Sequence, residues 1–227
     1  MGLCGHDIIA FDWNSPSEFK KLASVEEGVD TRFNDGAVDR SGRLWADSMG
    51  NETSPGVVPP GLGNLYVMDC SVSNEVHKRA ASLDLGNGID WSVDNQTMFY
   101  TDSIPKKIYA ADYDASTGQI KNQRVAVDFS KYEIGLPDGC TIDANNKLWV
   151  ACYFGACVCC FDVSTGQLVE KIDLNTKGIT SVAFGGPHMN QLFVTTANRD
   201  YENGGAIFRI DGLSTRGLPT NYANEVK

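Results

Sequence analysis

No apolar run in the chain approaches the roughly 18 residues that a membrane-spanning helix requires, which argues against a membrane partner. Basic residues are also few. Lys and Arg number 19 against 29 Asp and Glu, for a formal net charge of −10 and a pI near 4.7. Without a basic stretch there is no electrostatic footprint for nucleic acid or an anionic membrane surface; a cation or a neutral small molecule remains compatible. Histidine is scarce: His6, His77 and His188 are scattered and form no ligand spacing. There is no Gly-rich phosphate loop and no G-x-S-x-G elbow, which sets aside P-loop nucleotide chemistry and the serine-elbow hydrolases. The opening MGLCGHDIIAFDW has no basic n-region and no long apolar h-region, so no secretory signal is expected and the cytoplasm is the expected compartment. Convincing long helices are missing too. The best candidate, SPSEFKKLASVEEG, has Ser15 as N-cap and Gly28 as a stop, but it falls where a repeating pattern calls for a hairpin.

That pattern is what the 227 residues do contain. Four segments share one shape: a polar or Gly-containing start, an alternating apolar run, a polar turn and a second apolar run. They begin at Asn34 (NDGAVDRSGRLWADS), Asn87 (NGIDWSVDNQTMFYTDS), Asp138 (DGCTIDANNKLWVACY) and Ser181 (SVAFGGPHMNQLFVTTA). Each reads as a β-hairpin launched by a turn. A second series interleaves with it: IIAFDW at 8, LYVMDC at 65, IYAADYDASTGQI at 108, VCCFDVSTGQL at 158 and IFRIDG at 207. Two hairpins recurring every 45 residues or so give four strands per repeat, the signature of an all-β propeller. Trp45, Trp91 and Trp149 recur on or beside first-series strands and are read as blade packing. The strands amount to about four and a half blades.

Seven cysteines are present: Cys4, Cys70, Cys140, Cys152, Cys157, Cys159 and Cys160. The tract CYFGACVCC resembles a metal motif, but strand alternation puts Cys157 and Cys159 on one face and Cys160 on the other. With no His nearby and no second CxxC pair, these are read as buried, reduced thiols that pack as small hydrophobes.

In a propeller the first strand of each blade lines a central channel. The starts at Asn34 with Asp35, at Asn87 and at Asp138 would thus bring amide and carboxylate oxygens to one register, the donors a hard cation requires. The stretches RFNDGAVDRSGRLWADSM, NGIDWS, YTDS, YDASTGQI, PDGCTIDANNKLWVACY, SVAFGGP and LFVTTA, in that order over roughly residues 30 to 200, resemble the senescence-marker-protein/gluconolactonase/luciferin-regenerating family. The resemblance implies a six-bladed β-propeller with one divalent cation, Ca²⁺ or Zn²⁺ (Mn²⁺ or Mg²⁺ also), and hydrolysis of a small-molecule sugar lactone. By position, Asn87 and Asp138 match metal ligands, Asp138 also matches the general acid/base, and Arg32, Asn34 and Glu52 match substrate contacts. A third ligand, a Glu in a GE(S/G)P segment near the family's N-terminus, has no counterpart here; Glu18 lies in a second-series hairpin. The expectation is therefore a single propeller domain over residues 1–227, incomplete, lacking an N-terminal blade and closing strand. The alternative function is a non-catalytic calcium-binding, regulatory or sugar-binding propeller.

Overall fold

The computed structural model describes residues 1–15, 17–54, 57–199 and 201–224. Among these the chain is all-β, with a single short 3-10 turn at Phe129–Lys131. Five antiparallel sheets follow one another in chain order. The first holds β1 (Gly2–Cys4), β2 (Asp7–Phe11) and β3 (Phe19–Ser24). The second holds β4 (Thr31–Val38), β5 (Leu44–Gly50), β6 (Gly63–Met68) and β7 (Val76–Leu83). The third holds β8 (Gly86–Trp91), β9 (Thr97–Asp102), β10 (Lys107–Asp114) and β11 (Gln119–Asp128). The fourth holds β12 (Leu136–Ile142), β13 (Lys147–Tyr153), β14 (Cys157–Asp162) and β15 (Gln167–Asp173). The fifth holds β16 (Ile179–Gly185), β17 (Gln191–Thr196) and β18 (Ile207–Ile210). No helix among the described residues is long and apolar enough to cross a membrane.

The expected blade count is corrected. The five sheets are the blades, not four and a half of an incomplete six. The difference arises at the N-terminus, where Gly2–Cys4 pairs antiparallel with β2 through Gly2↔Ile9 and Cys4↔Asp7. Gly5, at φ +59°, makes the tight turn between them. A three-residue strand is too short to display alternation, so the sequence pattern shows only the β2–β3 hairpin. The number six came from the resemblance alone. Within the helix-like SPSEFKKLASVEEG stretch, Phe19–Ser24 is strand, with Phe11 opposite Phe19 and Asp7 opposite Ser24; sheet pairing overrides its helical propensity.

By internal contacts the chain divides into two compact units. One comprises Met1–Gly86, Ala115–Gln119 and the segment from Asn221; the other comprises Asn87–Asp114 and Ile120–Thr220. The first unit has a core of Ile8, Leu22, Phe33, Leu44 and Tyr66. Two clusters among the described residues belong to the second. One is built on Phe99, Ile108, Phe129, Leu148 and Phe161. The other is built on Trp149, Ile179, Val182, Leu192 and Val194. Trp45, Trp91 and Trp149 are all buried, as blade packing predicts.

The hairpin turns reuse one polar device. Asp143 is buried; its Oδ1 accepts from the backbone of Asn145 (2.8 Å) and Lys147 (2.9 Å), and its Oδ2 accepts from Trp149 Nε1 (3.0 Å). Asp39 does the same for Ser41, Arg43 and Trp45 in β4–β5, and adds a buried ion pair to Arg43 at 2.7 Å. One carboxylate thus satisfies the turn and anchors the next strand's indole. In the first unit the C-terminal segment returns to these turns. Asn221 Nδ2 donates to Val38 O (2.8 Å), Asn224 N donates to Gly42 O (2.9 Å), and Asn224 Nδ2 donates to Ser41 O (3.0 Å).

Candidate functional site

The stretch RFNDG is not a turn preceding a strand; it lies within β4. The β4–β5 ladder runs Phe33↔Ser48 and then Gly36↔Ala46, so Asn34 and Asp35 together face one residue, Asp47. The β12–β13 ladder slips in the same way, from Pro137↔Cys152 to Cys140↔Val150, leaving Asp138 and Gly139 opposite Ala151. In β16–β17 the slip falls between Ile179 and Ser181. A β-bulge breaks the pleat locally and re-aims side chains. Asn34 with Asp35, and Asp138, therefore each sit at a bulge of the first strand of their sheet.

In the first unit, Arg32 is half-buried and donates from one guanidinium nitrogen to Phe33 O and Asn34 Oδ1, both at 3.0 Å. Asn34 Nδ2 in turn donates to Gly86 O at 2.8 Å. Arg32 and Asn34 thus form one hydrogen-bonded pair. Asp35 N donates to Asp47 Oδ1 (3.0 Å), and Asp35 Oδ1 accepts from Gly36 N (2.7 Å). Glu52 is exposed in the loop after β5. Burial pushes the Asp35 carboxyl above the usual carboxylate range, opposed by the Gly36 N–H. A raised acid pKa means that the folded chain keeps a proton the unfolded chain has lost, so stability falls as pH rises from the ordinary value through the folded one. Asp35→Asn retains the acceptor for Gly36 and removes the ionisation. Its melting temperature is expected to exceed the parent's at neutral pH and to converge with it in acid. A parent and variant that melt in parallel across that range would contradict the assignment.

In the second unit, Asn87 is buried and its Nδ2 donates to Ser103 Oγ at 2.8 Å. That hydroxyl donates onward to Pro137 O at 2.6 Å, the carbonyl preceding Asp138. The amide nitrogen is directed to Ser103, and the other end of the amide, Oδ1, is an oxygen donor of the kind a hard cation takes. Two glycines let the strands come this close. A Cβ on Gly88 would lie 2.6 Å from Asp138 O, and one on Gly139 would lie 2.2 Å from Ser181 Oγ. The Gly of NG and of DG, read as turn residues in the sequence, are positions of close backbone approach. Asp90 adds a tie, accepting from Ile142 N at 2.7 Å. The structure thus brings β8 at Asn87 and β12 at Asp138 together. One amide oxygen and one carboxylate are hard donors whose chemistry fits a divalent cation.

The SMP-30/Gluconolactonase/LRE-like region matches residues 4–198 of this chain. The chain belongs to this family. It is 37% identical to regucalcin from Xenopus laevis, over 96% of this chain and 75% of that protein. Against regucalcin from Homo sapiens the identity is 38%, again over 96% and 75%. Its fold resembles that of a luciferin-regenerating enzyme with a TM-score of 0.90 at 30% identity, covering 98% of this chain and 76% of the other. A calcium-binding regucalcin from Agrobacterium tumefaciens shares the fold with a TM-score of 0.85 at 24% identity, over 97% and 74%.

Several residues near the candidate site of this gluconolactonase-family chain were not singled out in the sequence. Ser103 is one; its signal is the recurrence of Ala46-Asp47-Ser48 as Thr101-Asp102-Ser103 at corresponding strand ends. Tyr153 is another. Its phenol is pushed above the ordinary range by burial first, then by its hydrogen bond with Tyr201 and by the charge of Asp138, against the pull of Arg199. Tyr153, Arg199 and Tyr201 therefore share a field with Asp138, and no local motif marks them.

Proposed function

We propose that this chain hydrolyses sugar lactones in a divalent-cation-dependent reaction, with Asn87 and Asp138 as protein ligands of Ca²⁺ or Zn²⁺. Asp138 also serves as general acid/base, and Arg32, Asn34 and Glu52 contact the substrate. Family membership supports the reaction class. The observation that carries the ligand pair is the Asn87–Ser103–Pro137 hydrogen-bond chain, which fixes an amide next to the backbone of a bulged carboxylate. A bound divalent cation supplies Lewis acidity toward the lactone carbonyl. Asp138 takes a proton from the attacking water as its oxygen bonds to the carbonyl carbon. It returns that proton to the ring oxygen as the ester C–O bond breaks. Arg32, held by Asn34, offers N–H donors to sugar hydroxyls. None of the seven cysteines is in a disulfide, which fits the cytoplasm as the working compartment.

The test is gluconolactone hydrolysis followed by acid release. Turnover is expected to disappear on chelation and to return on addition of Ca²⁺ or Zn²⁺. Turnover that survives chelation would overturn the metal dependence. Cation binding without turnover would instead assign the chain to the non-catalytic binding reading.

A further inference from the structure

Three cysteine sulfurs meet inside the fourth sheet. Cys152, near the end of β13, is the direct cross-strand partner of Cys157, the first residue of β14. Cys159 lies two positions on, hence on the same face as Cys157, with its Sγ 3.7 Å from that of Cys157. The three Sγ atoms lie within 4.8 Å of one another and all three residues are buried. None is in a disulfide. Alternation within β14 alone shows only two thiols; the third arrives from the neighbouring strand through the hairpin register.

The spacing and the surroundings select a class of ligand. A planar three-coordinate centre with metal–sulfur bonds of about 2.3 Å holds its sulfurs about 4.0 Å apart. Sulfurs between 3.7 and 4.8 Å apart need little movement to reach that geometry. No His, Asp or Glu joins the group among the described residues, so the fourth ligand of a closed zinc site is lacking. The neighbours are apolar, including Phe99, Ile108, Phe129, Ile134 and Phe161. Hard cations require oxygen donors, whereas thiolates select soft ions.

We propose that Cys152, Cys157 and Cys159 form a three-coordinate thiolate site for one soft monovalent cation, Cu(I). Each metal–sulfur bond replaces an S–H bond, the proton passes to solvent, and no electron changes hands. Lys171 and Asp173, the β15 partners of Cys159 and Cys157, form an ion pair at 2.7 Å beside the trio. The way in is short. The turn joining β13 to β14 lies one residue from the Cys152–Cys157 pair, and its Phe154 and Ala156 hold left-handed backbone at φ 66° and 53°. Non-Gly residues in that region are strained, and Phe154 is largely exposed.

The experiment is an anaerobic titration of the reduced full chain with Cu(I)–acetonitrile against a competing Cu(I) chelator. A Cys4→Ser background removes the one exposed thiol. We expect one equivalent retained, with an X-ray absorption spectrum showing three sulfur neighbours at about 2.3 Å, close to other thiolate–metal bonds. Cys157→Ala and Cys159→Ala are each expected to weaken retention by more than about 100-fold, since even the outer partners of a metal ligand are worth 10- to 100-fold. Cys160→Ala, on the opposite face in a different cluster, is expected to leave it unchanged. The absorption measurement uses the intact trio and so does not depend on how the variants fold. Loss of all copper to the chelator, fewer than three sulfur neighbours, or equal losses in Cys160→Ala and Cys157→Ala would each overturn the site.

Discussion

Asp138→Asn is expected to lower gluconolactone turnover by about 10²- to 10⁴-fold, the span that a positioned general acid/base contributes. The change is nearly isosteric and sits at a bulge where the ladder to β13 is already interrupted, so the sheet should survive it. The two roles proposed for Asp138 can be separated by comparison with Asn87→Ala. Loss of a ligand alone raises the cation concentration needed for half-maximal turnover, and excess cation restores the rate. Loss of the proton-transfer group persists at saturating cation. Circular dichroism confirms the fold, and the rate at saturating cation decides. A variant retaining more than about a tenth of parental turnover there would remove Asp138 from the acid/base role.

Asp143→Ala is expected to destabilise the chain by about 3–5 kcal/mol, although residue 143 lies in a turn and contacts no proposed site residue. Surface turns usually tolerate substitution, with effects within about 0.5 kcal/mol. Here the carboxylate is 1% exposed and accepts three hydrogen bonds of 2.8, 2.9 and 3.0 Å. Truncation orphans two backbone N–H groups and a buried indole N–H at once, each costing about 1–3 kcal/mol before water relieves part of it. Asp143→Asn keeps one acceptor and should fall between. Urea unfolding reads the effect as a lower midpoint at unchanged slope. A shift equivalent to less than about 1 kcal/mol would show that the turn stands without its carboxylate.

Much of this architecture is legible in the sequence because hairpins announce themselves locally. The density of aromatic and β-branched residues in RLWAD, MFYTD and LWVAC marks β5, β9 and β13, and the intervening turn residues mark their ends. What could not be read is what depends on partners. Whether Asn34 and Asp35 sit in a turn or a bulge is decided by the register against β5, since Asn, Asp and Gly suit both. The convergence of Cys152 with Cys157 and Cys159 requires the pairing of two strands. The strand Gly2–Cys4 is hidden because three residues carry no period. Within the candidate site, Asn87 and Asp138 are singled out by motif position alone. Ser103 and Gly88, which bring their strands together, are not, because a hydroxyl and a missing Cβ reveal their role only when a neighbouring strand is in place.

The return of the C-terminal segment to the turns of the second sheet bears on synthesis. Asn221 and Asn224 bond to Val38 and Ser41 across a separation of 183 residues. A chain growing from the ribosome can zip its hairpins one after another, but it cannot complete its first unit until residue 224 has emerged. Closing so long a loop is entropically slow. A sheet made early, the second in chain order, is thus among the last to be finished, and throughout translation its turns stay open to chaperones and proteases.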